Sequence, residues 1–213
     1  WYSRDLRMSD TRVEAPKMFR EMDGVRLENV QIPNAQETLW HCRNVDLKNV
    51  RADRADYLFL HGENIRIEDY VQNGNYSFQY CRNVTIRDAE IHSKDAFWNS
   101  EDVTVYDSVL DGEYLGWHSK RLKLVNCRIS GTQPLCYAQD LVMENCTMDD
   151  DCDLAFEYST LRADIKGCVR SVKNPRSGSI TAGGYGEIIL DAHVKAPADC
   201  EIRVGGERNC FSA

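Results

Sequence analysis

Four carboxylates offer the clearest opening for chemistry in this sequence. Asp95, Glu113 and Asp153 recur near what reads as one corner of successive or nearby repeats, and Glu157 follows on the next stretch of chain. Two carboxyl groups across a shared groove could perform acid–base glycoside hydrolysis. The same hard oxygens could hold Ca²⁺, and Asp149, Asp150 and Asp151 add negative charge nearby. The plainer reading is a solvated loop of like charges in an acidic protein, and it is the favoured one.

Aromatic residues form the second opening. Trp1, Trp40, Trp98 and Trp117 share one repeat position with Arg20, Leu60, Gln79, Cys136 and Glu157. A mixture of that kind suits a surface better than a core. A row of exposed indoles could stack on sugar rings, with Trp98 and Trp117 as the binding pair. Packing under another segment or another copy of the chain is the favoured alternative, since exposed aromatic patches mark interfaces of some kind. The adjacent position holds His41, His61, Tyr80, Asn99, His118, Tyr137 and Tyr158. Of these, His118 and Tyr137 join the candidate ligand-binding residues. His41 and His61 lack a third ligand at defined spacing, so a polar ladder is preferred to a metal site, and no metal or cofactor is expected.

What must position these residues is a repeat. Asp10, Asn29, Asn49, Asp69, Asp88, Asp107, Asn126 and Asn145 return every 19 or 20 residues. Each lies four residues after an apolar residue (Leu6, Val25, Val45, Ile65, Val84, Val103, Leu122, Leu141) and two after another (Met8, Leu27, Leu47, Ile67, Ile86, Val105, Leu124, Met143). A repeat of this length is one coil of a solenoid. Apolar–polar alternation in Asn44–Asn49 has the period of a half-buried strand. Asn and Asp accept left-handed backbone and suit the corners. A second strand is expected at Phe19, Leu39, Phe59, Phe78, Phe97, Gly116, Leu135 and Phe156, and a third at Ile91, Leu110, Ile129 and Met148. Small residues at Ala35, Ala55, Gly74, Ser93, Gly112, Gly131 and Cys152 mark a further corner. The expected fold is all-β: a single-stranded right-handed parallel β-helix, with right-handedness following the rule for parallel crossovers. One domain is expected over 1–213, with regular coils over 1–148 and irregular coils and a cap over 149–213. The start inside a repeat predicts that an N-terminal coil or cap precedes Trp1.

Composition narrows the partners. The 213-residue chain has a net charge of -8 and a pI near 5.2, without a basic stripe, so neither nucleic acid nor an anionic membrane is expected. No apolar run is long enough for a membrane span, and no signal peptide is visible. Nine cysteines without a CxxC pair read as free thiols filling core positions, with Cys127, Cys146 and Cys168 in one column. The cytoplasm is therefore the expected compartment.

Four motifs carry a family resemblance: Ser93–Ser100 (SKDAFWNS), Gly112–Trp117 (GEYLGW), Gly131–Tyr137 (GTQPLCY) and Asp153–Ser159 (DLAFEYS). They resemble an uncharacterised bacterial family within the pectate-lyase-like β-helix superfamily, with the match running from Trp1 to about residue 195. The resemblance implies a β-helix and supplies no catalytic residues. The Asn-Thr-Asp, Gly-His-Gly and Arg-Ile-Lys segments of polygalacturonase-like members are absent, and short coils leave little room for groove-building loops. The expected function is a non-catalytic scaffold or interaction domain whose partner is another copy or a carbohydrate. The alternative is a carbohydrate-binding or carbohydrate-active protein using the aromatic-acidic face.

Overall fold

The computed structural model describes residues 1–191, 199–205 and 210. Strands β1 (Arg4–Arg12), β2 (Asp23–Ile32), β3 (Arg43–Asp53), β4 (Glu63–Asn73) and β5 (Arg82–His92) pair in parallel, each with the next. Next the strand divides into β6 (Glu101–Tyr106) and β7 (Val109–Asp111), then β8 (Lys123–Val125) and β9 (Arg128–Ser130). It rejoins as β10 (Leu141–Met148), followed by β11 (Thr160–Lys173), β12 (Ser177–Ile189) and β13 (Asp199–Val204). Every pairing is parallel and the described residues contain no helix, so the fold is an all-β parallel solenoid.

One core column runs through the whole ladder: Met8, Leu27, Leu47, Ile67, Ile86, Val105, Leu124, Met143, Ala163, Ile180 and Ile202 are successive register partners. From Leu27 to Ile180 these side chains are buried, each Leu or Ile contributing about 1.5–3 kcal/mol. Outward positions alternate in sign. Arg4, Asp23, Arg43, Glu63, Arg82, Glu101 and Lys120 are successive partners, so every neighbour along that column carries the opposite charge.

The eight repeating Asn and Asp residues all have left-handed backbone, with φ between 49° and 58°. Their side chains bond along the axis in two stretches: Asn29 Nδ2 donates to Asp10 Oδ1 at 2.9 Å and Asn49 Nδ2 to Asn29 Oδ1 at 2.8 Å, then Asn126 Nδ2 to Asp107 Oδ1 at 2.8 Å and Asn145 Nδ2 to Asn126 Oδ1 at 2.5 Å, while the carboxylates of Asp69 and Asp88 between them offer no donor. The small-residue corner is a close approach of backbones. A Cβ on Gly112 would meet Ser93 O at 2.2 Å, and one on Gly74 would meet Ala55 N at 2.4 Å.

Two expectations are corrected. First and third expected strands are real, but the second is an arc of turns. Phe19, Leu39, Phe59, Phe78, Phe97, Leu135 and Phe156 are buried as expected, yet each has φ between 54° and 67°. In this arc alternate residues are left-handed, as at Tyr57, Phe59 and His61. Amides still bond along the axis: Phe59 N donates to Thr38 O one coil back, and His61 N to Gln79 O one coil on. Strand-like burial alternation therefore comes from a different backbone. Second, Cys168 is not a stacked free thiol. Irregular register between β10 and β11 pairs Cys146 with Ile165, and Cys168 is disulfide-bonded to Cys210 with Cα atoms 5.7 Å apart. Cys42 and Cys81 are buried free thiols that donate to Phe19 O and Phe59 O. Burial pushes them up to about 11 and about 12.

Candidate functional site: the ladders of the turn arc

All candidate residues except Asp153 and Glu113 lie on the left-handed arc itself, and those two border it. Along the axis the arc presents parallel columns, fixed by one hydrogen bond per coil. His41 N donates to Leu60 O, His61 N to Gln79 O, Tyr80 N to Trp98 O, Asn99 N to Trp117 O, His118 N to Cys136 O and Tyr137 N to Glu157 O. The Trp position and the His/Tyr position are thus neighbouring columns, as the repeat predicts. A further outer column contains Tyr57, Tyr76, Asp95, Tyr114 and Gln133. The column beside it contains Asp56, Asn75, Lys94, Glu113, Thr132 and Asp153, whose carbonyls, from Asn75 to Asp153, accept from these amides.

The carboxylates do not converge across a groove. Glu113 is exposed and pairs with Lys94 at 3.2 Å. Asp153 accepts from the Thr132 hydroxyl. Glu157 is half-buried and pairs with Lys173 Nζ at 3.0 Å. Asp95 differs: it is 9% exposed and makes no side-chain hydrogen bond or ion pair. Burial pushes its carboxyl up first; Lys94 opposes that shift and Glu113 adds to it. Two shallow hollows open on the strand faces, one along Asn29, Asn49, Asp69 and Asp88, the other along Asn44, Asn64 and Asn83; neither includes any of these four carboxylates. Among the described residues, no three His, Cys, Asp or Glu side chains gather as metal ligands.

Stacking consumes most ring faces. His41–His61 centroids are 5.0 Å apart at 11°, and His61–Tyr80 4.8 Å apart at 17°. Tyr57 and Tyr76 stack at 4.8 Å and 14°. Further on, His118 stacks on Tyr137 at 4.9 Å, and Trp117 meets Tyr137 edge-on at 5.7 Å. The structure therefore brings Trp117, His118 and Tyr137 together. Burial lowers the tendency of His61 to protonate, and His41 adds to this; burial also pushes the Tyr137 phenol up. Stacked rings show solvent their edges, whereas a sugar needs a face.

The N–H groups of three indoles turn to backbone carbonyls, although Trp1 itself is exposed. Trp1 Nε1 donates to Lys17 O at 3.2 Å, Trp40 Nε1 to Tyr57 O at 2.5 Å and Trp117 Nε1 to Gln133 O at 3.1 Å. Trp98 breaks the pattern, its buried Nε1 having no partner. Arg20 lies between two of the indoles, its guanidinium carbon 5.9 Å from the Trp1 centroid and 4.2 Å from that of Trp40, and it bonds Glu37 at 2.6 Å. The tyrosine column and Lys94 were not singled out by sequence reasoning. The 19-residue spacing of Tyr57 and Tyr76, and of Asp95 and Tyr114, was the available signal.

A parallel β-solenoid with ladders on one arc and no convergent catalytic set among its candidates is the class this geometry defines. Within it, residues 1–203 match the family described as "Protein of unknown function (DUF3737)", and the chain belongs to that family. No curated protein matches the chain. Among solved structures it is similar to HetL, a pentapeptide repeat protein involved in heterocyst differentiation regulation from the cyanobacterium Nostoc sp. strain PCC 7120. The identity is 11%, over 97% of this chain and 90% of that one, with a TM-score of 0.37, too low to support any inference.

Proposed function

We propose that this chain is a non-catalytic interaction scaffold that uses its turn arc as the contact face. The observation that carries this reading is the state of the candidate carboxylates. Glu113, Asp153 and Glu157 each bond a neighbour in the ladder, and Asp95 stands without a second carboxylate placed opposite it across a groove. A hydrolase needs one carboxyl group to give a proton while another acts from the far side of the bond. Right-handed winding and membership of the pectate-lyase-like superfamily belong to the same reading, supported by parallel pairing and by the handedness rule for crossovers. So does a single domain over the whole chain, supported by one continuous sheet from β1 to β13. No helix among the described residues is long and apolar enough to cross a membrane. We keep the cytoplasm as the compartment: six buried free thiols support it and the Cys168–Cys210 disulfide counts against it.

The test is incubation with uronate and neutral oligosaccharides, with and without Ca²⁺, followed by assay for new reducing or unsaturated ends. No cleavage is expected, and sedimentation reports any self-association. Cleavage abolished by Glu113→Gln or Asp153→Asn would replace the scaffold with the carbohydrate-active reading.

A further inference from the structure

Both exposed aromatic ladders are interrupted in the same coil. In one column Asp95 stands between Tyr76 and Tyr114; in the other Asn99 stands between Tyr80 and His118. Neither Asp95 nor Asn99 is a ring, so the facing sides of Tyr76 and Tyr114 have no aromatic neighbour between them. The two tyrosines are two coils apart, roughly 9.6 Å along the axis. A planar group midway would lie about 4.8 Å along the axis from each of these positions, a separation at which rings stack, with Tyr114 tilted at 59° against Trp117 on its other side. Two polar groups in this coil lack hydrogen-bond partners: the carboxylate of Asp95, a residue 9% exposed overall whose oxygens still reach solvent, and, three residues on, the buried Trp98 indole N–H.

We propose that this notch is a binding site for the guanidinium group of an arginine residue, stacked between Tyr76 and Tyr114 and paired with the Asp95 carboxylate. The proposal rests on the interaction-scaffold reading and names the chemistry of the partner. The molecule contains the same arrangement elsewhere, with an internal ligand. Trp1, Arg20 and Trp40 are successive members of one column; the Arg20 guanidinium sits between the two indoles and bonds Glu37. A gap of two coils between rings thus accepts a guanidinium, with a carboxylate to hold it. Arg87 over Tyr106 at 3.7 Å shows the same preference on a single ring.

The notch already attracts a cation. Lys94 Nζ lies 5.1 Å from the Tyr114 centroid while pairing with Glu113. Its side chain is 40% exposed and its direct ion pair is with Glu113, while it acts on Asp95 only through space, so it can swing out and leave Asp95 to an incoming group. A guanidinium offers donors to Asp95 but no acceptor to Trp98. The three other indoles donate to backbone carbonyls. A carbonyl of the arginine's own peptide backbone would meet the same need at Trp98 once binding opens its enclosed N–H, which favours a peptide over a free guanidinium compound.

The experiment is a titration of the ¹⁵N-labelled chain with a capped Gly-Arg-Gly peptide, its Gly-Lys-Gly counterpart and methylguanidinium, read at the indole N–H cross-peaks. The Trp98 signal is identified by its loss in Trp98→Phe. The arginine peptide is expected to move that signal saturably, and the lysine peptide to bind on the order of ten-fold more weakly. Asp95→Asn should weaken arginine binding by about ten-fold or more, while Lys94→Ala, which removes the resident cation, should tighten it by roughly three-fold. Retained dispersion of the remaining spectrum shows that each variant is folded. Equal affinity for methylguanidinium and the peptide keeps the guanidinium site and assigns it to a small molecule. No saturable shift, or unchanged binding in Asp95→Asn, overturns the proposal. Glycan turnover is a separate readout, so failure here and failure of the scaffold reading are distinguishable.

Discussion

Within one coil the chain takes left-handed backbone in two regions, and it uses opposite residue types to do so. On the strand wall those positions are Asn and Asp, as at Asn49, Asn64, Asp69 and Asn83. Short polar side chains visit this conformation at low cost and bond along the axis. On the arc they are Tyr57, Phe59 and His61, then Tyr76, Phe78 and Tyr80. Bulky residues carry a penalty of about 1–2 kcal/mol each in this conformation. What offsets it is stacking: Phe59–Phe78 at 4.7 Å and Phe78–Phe97 at 5.1 Å inside, Tyr57–Tyr76 and His41–His61–Tyr80 outside. The wall is held by local preference and the arc by contact between coils. Where the stacking stops, at Asp95 and Asn99, the arc changes from structure to candidate site.

Removing the middle of the inner ladder attacks the arc where it depends most on contact. Phe78→Ala is expected to destabilise by about 4 kcal/mol, since it leaves a cavity and removes the support of two left-handed neighbours. Urea denaturation checks this, and a loss near that of an ordinary methyl deletion would show that the arc does not need its rings. Gly112→Ala should follow at about 3 kcal/mol. Its φ of 156° lies at the edge of the range that favours glycine, and the added methyl would meet the Ser93 carbonyl at 2.2 Å.

The wall should respond more mildly. Asn126→Ala removes a bond donated to Asp107 and one accepted from Asn145, and it leaves a residue less suited to left-handed backbone. A loss of about 2 kcal/mol is expected. The reverse exchange sharpens the contrast. Tyr57→Asn gives up one exposed stack but gains a residue that fits its φ of 59°. The two changes should nearly cancel, leaving stability within about 0.5 kcal/mol of the parent. A large loss in Tyr57→Asn would sink the idea that its backbone carries a penalty.

The same contrast explains what could be read in advance. Asn29, Asn49 and their column were legible because residue type and conformation agree there, and the core column from Leu27 to Met143 because burial in a strand has a period of two. The arc was misread because Phe59 and Phe78 are apolar at the spacing a strand also uses, and nothing in the residue type of Phe signals φ near 57°. The ladders at Trp117, His118 and Tyr137 were legible as columns but not as rings whose faces are consumed. Pairing of Cys168 with Cys210 joins residues 42 apart across irregular register, which no spacing rule reaches. Alternating charges from Arg4 to Lys120 lay in plain view once the coils were aligned.

The smallest effect concerns the wall alone and reports whether its polar edge is structural. His92 lies between Asp111 and Glu90, each at 2.8 Å, and Ser130 donates to Asp111 at 2.7 Å. The Asp111 hydrogen bond, then that of Glu90, raises His92 above its ordinary value, while burial opposes them. Asp111 is lowered, first by Ser130 and then by His92. A raised His contributes stability that is full below its unfolded value, about 6.5, and is lost as pH rises through the folded value. A lowered Asp contributes above its unfolded value, about 3.9, and that is lost as pH falls through the folded one. The pair should therefore help most between roughly pH 4 and 6.5. His92 is 37% exposed at the side chain, so solvent screening reduces the gain to about a few tenths of a kcal/mol. Denaturation of parent and His92→Gln across pH 3 to about 9 measures it as a difference curve. A difference that grows above about pH 8 would have the wrong sign, and would mean that neutral His92, not the ion pair, holds the edge.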